Sequence, residues 1–116
     1  MQPIDLTLAL KATDGDFELL KDVVDAFLEE YPTLMAVLEP AIVARDAAVV
    51  QRASHTIKGT LRLFGNVPAK AIAEKLEEMG QSSVLEHALD TFESLKHELS
   101  TLRAQLVDAM KDPKLR

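Results

Sequence analysis

The sequence contains no cysteine and no tryptophan, and only four of its 116 residues are glycine. No apolar run approaches the roughly 18 residues that a membrane span needs. Without cysteine there is no disulfide, no thiolate nucleophile and no thiolate metal site, a composition that suits a reducing compartment. Phe, Tyr and Trp make up 4% of the chain, and so little glycine excludes a turn-rich sandwich and a collagen-like repeat. The absence of any low-complexity run argues against disorder. Positive charge is also scarce: 13 Lys and Arg stand against 19 Asp and Glu, a formal charge of -6. Such a chain has no general attraction to phosphate backbones, so nucleic acid is not an expected partner. The opening Met1-Gln2-Pro3-Ile4-Asp5 lacks a basic-then-apolar leader pattern. The expectation is a cytoplasmic protein with no membrane association of its own.

What is present is apolar residue type, 47% of the chain, recurring at helical spacing almost throughout. No stretch alternates with the period of two that a strand requires. The fold class read from this pattern is all-α, in one domain over residues 1–116 with its core at about 5–110. Asp5 is positioned to cap a short first helix carrying Leu6, Ala9 and Leu10, and the Asp14-Gly15-Asp16 turn starts a longer one burying Leu19, Leu20, Val23, Phe27 and Leu28. Tyr31-Pro32 is expected to end it, because proline disfavours helical geometry in the residue before it. A new helix then starts near Pro32 with a stripe of Leu34, Met35, Leu38, Ala41 and Ile42, bent at Pro40.

Asp46 caps the next helix, from about Ala47 into Phe64-Gly65-Asn66. Pro68 opens another that buries Ala69, Ile72, Ala73, Leu76 and Met79 and closes at Gly80. Ser82 or Ser83 is expected to cap the last helix. Its seam, Leu85, Leu89, Phe92, Leu95, Leu99, Leu102, Leu106 and Met110, predicts the longest helix of the chain. Residues 111–116 offer little to bury and are expected to fray.

The informative stretch surrounds His55. At about 100° per residue, Val50, Ala53, Ile57, Leu61 and Phe64 gather on one side of the wheel. His55 falls on the other, with Gln51, Arg52, Lys58, Gly59 and Arg62 near it. Between residues 45 and 62 there are four basic residues and one acidic residue, a local reversal of the chain's charge. A phosphorylated His55 would place its dianion within reach of Lys58 one turn along. Gly59 sits where alanine would favour the helix by about 1 kcal/mol, and its missing side chain leaves room for another surface beside the histidine. Neutral imidazole is a competent nucleophile toward phosphorus near physiological pH. The chain has no Gly-rich phosphate loop and no evident Mg²⁺ carboxylate cluster.

His55-Thr56-Ile57-Lys58-Gly59-Thr60, followed by Gly65, resembles the signature of the histidine-containing phosphotransfer (HPt) domain. The resemblance extends to the capped helix from Asp46, the Ala73–Glu77 stretch Ala-Glu-Lys-Leu-Glu, Gly80 and the helix order, about residues 5 to 110. It implies an antiparallel four-helix bundle with a short extra N-terminal helix. It also implies that His55 is the phosphoacceptor, Lys58 its electrostatic neighbour and Gly59 the access point, with Gln51, Arg52 and Arg62 as partner-binding positions. The function implied is that of a phosphorelay intermediate, a carrier rather than an enzyme. A sensor histidine kinase would be its phosphate source, and the receiver domain of a response regulator or hybrid kinase its exchange partner. No intrinsic cofactor is expected, and Mg²⁺ is expected on the receiver. Leu61 departs from the family, which usually has a small residue there, and Arg62 is a second departure.

Two other readings fit less. The dimerisation and phosphoacceptor fragment of a sensor kinase resembles a two-helix hairpin with an acidic residue directly after its histidine, where this chain has Thr56 and enough helices to close a bundle as a monomer. A non-catalytic helical scaffold would not need Gly59 beside an exposed histidine. His87 and His97 lie off the last seam as solvated positions. Glu93 and His97 have metal-compatible spacing, but no Glu-x-x-His pair occurs, and di-iron bundles need two.

Overall fold

The computed structural model describes residues 2–115. Five α-helices run α1 Thr7–Ala12, α2 Phe17–Val43, α3 Ala47–Leu61, α4 Pro68–Ser82 and α5 Ala88–Met110, with 3-10 turns at Arg62–Phe64 and Pro113–Leu115. There is no strand among the described residues. α2 packs against α3 and α5, and α4 against the same two, which closes an antiparallel ring of four long helices. Short α1 lies over the 3-10 turn that follows α3. The core inside the ring is aliphatic: Leu20, Leu38, Ile57, Leu61, Leu76, Leu95, Leu99 and Leu106 are wholly buried. At one end Phe27 stacks on Tyr31 and meets Phe64 edge-on at 5.1 Å.

The local start signals act as their chemistry dictates. Asp16 accepts from the Leu19 amide at 3.2 Å and Asp46 from Val49 at 3.3 Å. Asp5 is not itself the cap of α1: Leu6 holds that position without a side-chain cap, and Asp5, one residue earlier, accepts from the Thr7 amide at 2.9 Å. Gly65, at φ +76, turns the chain out of the 3-10 segment.

Pro32 does not end a helix. α2 is continuous through Pro32 and Pro40 for 27 residues, which makes it, and not the 23-residue α5, the longest helix. Both proline rings are exposed, so neither intrudes on the core. Proline at position 32 leaves the Leu28 carbonyl without its helical donor, and Arg103 of α5 donates to that oxygen from Nη1 at 3.5 Å. Tyr31 keeps helical geometry before Pro32, with its ring stacked on Phe27.

Other expectations are corrected by where the stripes fall. Leu19 and Leu89 were both expected in the core and are 47% and 46% exposed, because the buried lines run through Leu20, Val24 and Phe27 and through Ala88, Phe92 and Leu95. Val23, Leu28, Leu34, Ile72 and Met79 are half-buried at the margins. Gly80 does not close α4. It lies inside the helix, and Ser83 in the left-handed region at φ 58 ends it instead. α5 starts after His87 with no side-chain cap from either serine. Within the C-terminal segment, Pro113–Leu115 makes a 3-10 turn and Leu115 packs on the core, and Arg116 lies outside the described residues. No helix among the described residues is long and apolar enough to cross a membrane.

Candidate functional site

α3 carries the site because its two faces differ so sharply. Val50, Ala53, Ile57 and Leu61 anchor the inner face, and a side chain half a turn away must point out. His55 is that side chain, 61% exposed. Leu61 is wholly buried, so its departure from the pattern that the signature resembles lies in the core and not on the exposed face that carries His55.

The neighbour that organises the imidazole comes from α4. Glu77 Oε2 lies 2.5 Å from His55 Nδ1, and Glu77 Oε1 lies 2.5 Å from Lys58 Nζ. The Glu77 side chain is only 11% exposed. Its Lys58 contact, and to a smaller degree His55, holds the carboxyl below its ordinary value despite burial that acts to raise it. An ionised carboxylate only accepts, so Nδ1 must donate. Nε2 is then the ring nitrogen with a free lone pair.

Gly80, one turn beyond Glu77, explains how so short a side chain reaches across. A Cβ at Gly80 would stand 2.6 Å from the Gln51 amide nitrogen and 2.9 Å from the Ala47 carbonyl oxygen. The two backbones therefore approach closely, and the Glu77 carboxylate spans the remaining gap to His55 and Lys58.

The residues expected around His55 separate into two groups. Arg52, Gly59 and Arg62 are exposed, and a Cβ on Gly59 would meet nothing within 4 Å. Neither arginine makes an ion pair among the described residues. Gln51 and Lys58 are drawn inward. Gln51 is half-buried with its backbone against Gly80, and Lys58 was expected to be exposed but has a side chain only 16% exposed. Its ammonium is already paired with Glu77.

Sequence reasoning quoted Glu77 only as part of a resembling stretch and assigned it no role. A signal was available: Ala69, Ala73, Leu76 and Gly80 form the buried stripe of α4, and Glu77 falls on the same stripe. A carboxylate there needs a cationic or hydrogen-bonding partner. His87 and His97 are exposed, and among the described residues no group of three or more His, Cys, Asp and Glu side chains converges.

Comparison with known proteins gives concordant findings. The family model of the Hpt domain matches residues 22–105. The crystal structure of histidine-containing phosphotransfer protein B (HptB) from Pseudomonas aeruginosa PAO1 is similar in fold, with a TM-score of 0.85 and 19% identity, covering 93% of this chain and 94% of that one. No curated protein sequence matches the chain.

Proposed function

The chain belongs to the Hpt domain family and is a phosphorelay intermediate of two-component signalling, and within that role we propose that His55 Nε2 is the atom that takes up and gives back the phosphoryl group. The observation that carries the assignment is the Nδ1 contact with Glu77, which commits one ring nitrogen and leaves the other, on an exposed ring, as the nucleophile. Gly59 leaves the surface beside it open to a partner. Arg52 and Arg62, unpaired and exposed, supply positive charge to an acidic partner surface. Lys58 supports the site chiefly through Glu77.

Hpt domains exchange phosphoryl groups with kinases and receiver domains. For this chain the proposed partners are a sensor histidine kinase as phosphate source and the receiver domain of a response regulator or hybrid kinase. The proposed chemistry is that of a carrier without catalytic activity of its own, with Mg²⁺ supplied on the receiver. We also propose that it works as a cytoplasmic monomer, since its own helices close the core.

The test is transfer of labelled phosphate from candidate kinases onto this chain and on to receivers. Label should enter the wild type in an acid-labile linkage and be absent from His55→Gln, whose far-ultraviolet circular dichroism should match the wild type. Label retained by His55→Gln, or stable in acid, would defeat the assignment.

A further inference from the structure

Two turns beyond His55 the exposed face of α3 runs into an open cleft of about 570 Å³. Its character comes from Leu8 of α1, Arg62 and Phe64 of the 3-10 turn, and Val67 and Lys70 at the start of α4. Residues 2–5 form one wall, which Gln105 of α5 fixes by donating from Nε2 to the Gln2 carbonyl at 2.8 Å. Leu8 is 54% exposed, and its Cδ1 would lie 3.6 Å from a Cβ on Gly65, so it rests against the turn and not in the core. The lining thus joins apolar surface to positive charge. Neither Arg62 nor Lys70 has an ion-pair partner among the described residues. Asp5, the carboxylate that also lines the cleft, already accepts from the Thr7 hydroxyl and amide. On the far side of residues 2–5 a second cleft has Asp5, Asp108 and Asp112 as its charged lining, so the two clefts that flank this segment differ in sign.

On this basis, and resting on the His55 reading above, we infer that the cleft beside Arg62 and Lys70 is a specificity pocket, in which the receiver domain docked over His55 seats an apolar side chain with a carboxylate beside it. The position suits this. Arg62 follows His55 by seven residues, which in a helix is about 10 Å along the axis and about 20° around it. A specific interface takes about 800 Å² from each partner, a patch roughly 30 Å across. A receiver centred on His55 therefore covers Arg62 and reaches the cleft.

The charge of the cleft selects the occupant. Lys70 is already half-buried, and a partner that brought only apolar surface would bury its ammonium further without a counter-charge. A carboxylate next to the apolar side chain removes that cost, and a cation there would add to it. The occupant belongs to the receiver because the cleft is continuous with the face on which transfer takes place. A partner that holds Mg²⁺ also brings carboxylates to that face. The cleft therefore discriminates among receivers that all present the same kind of acceptor to His55, by attraction for one and repulsion for the rest.

The experiment loads the protein from phosphoramidate, a small-molecule phosphoryl donor, and follows the phosphohistidine by ³¹P NMR. The probe is the purified receiver domain that accepts phosphate fastest in the transfer assay above, and the quantity read is the receiver concentration that half-saturates transfer. Lys70→Glu should raise that concentration about tenfold or more while the limiting rate at saturation changes little. The difference should narrow at about 1 M salt. Leu8→Asp, at an exposed position where folding is not at risk, should weaken docking in the same way through the apolar half of the pocket. Exposed Asp and Glu residues of the receiver are then replaced by Lys one at a time, and one such variant should transfer better with Lys70→Glu than with the wild type. Unchanged half-saturation in both Lys70→Glu and Leu8→Asp, or a receiver scan without that reversal, would overturn the pocket. A loss confined to loading from a kinase would overturn the receiver as its occupant. A phosphohistidine signal that survives in His55→Gln would instead overturn the choice of phosphoacceptor.

Discussion

Gly59 and Gly80 stand on facing helices, both in helix interiors, and their surroundings are opposite. Gly59 looks onto open space, whereas a Cβ at Gly80 would run into the backbone of α3. The first leaves the surface beside His55 clear. The second lets two helices of the same chain approach until the Glu77 carboxylate can touch His55 and Lys58. Glycine in a helix therefore has no single meaning, and the two positions should respond to substitution with opposite signs.

The largest effect is expected at Gly80. Gly80→Ala places a methyl group against main-chain atoms that have no rotamer to yield, and should destabilise the protein by about 3 kcal/mol in urea or thermal unfolding. It should also loosen the contact between Glu77 and Nδ1, visible as a changed imidazole ¹⁵N shift. A neutral or stabilising result would mean that the helices tolerate separation and that the two glycines differ little.

Lys58→Ala comes next, at about 1 kcal/mol, because Glu77 keeps His55 when it loses the ammonium. The sign with pH is definite. The folded Glu77 carboxyl lies below its ordinary value of 4.5, so its contribution is present above that pH and is lost as pH falls through the lower folded value. Removing Lys58, the larger cause of the lowering, should reduce this acid loss. Unfolding curves at several pH values below neutrality check it, and parallel curves for the two proteins would show that the ion pair is energetically silent.

The smallest effect on the fold, and of opposite sign, belongs to Gly59. Gly59→Leu should stabilise α3 by about 0.5–1 kcal/mol through helix propensity alone. It should nonetheless slow transfer to a receiver, because the new side chain stands beside His55 in the space a partner needs. Faster or unchanged transfer would remove the access role, and lower stability would show that the space is not open.

Much of this was legible in the sequence for physical reasons. The outward direction of His55 follows from Val50, Ala53, Ile57 and Leu61, since helical periodicity is a local property. The Asp16 and Asp46 caps are equally local. What escaped notice depended on contacts between distant segments. Pro32 reads as a stop until Arg103, 71 positions later by the numbering, is seen donating to the Leu28 carbonyl. Gly80 reads as a terminator until Gln51 and Ala47 are seen against it. Lys58 reads as a free cation until Glu77 arrives from the next helix. Leu19 and Leu89 were misplaced for a smaller reason: each adjoins the true stripe, and a shift of one residue rotates a helix position by about 100°.

The two prolines within α2 have a consequence for its motion. A helix normally opens from its ends, since each interior amide is tied to the carbonyl one turn back. Pro32 and Pro40 each remove one such tie from the interior, at the Leu28 and Ala36 carbonyls. The first is covered from α5 by Arg103, and Ala36 is exposed to water. Transient opening of α2 can therefore begin in its C-terminal half without unravelling from Phe17 or Val43, so the longest helix need not be the slowest to exchange its amide hydrogens. α3 has no proline, and its ladder remains unbroken beneath the histidine.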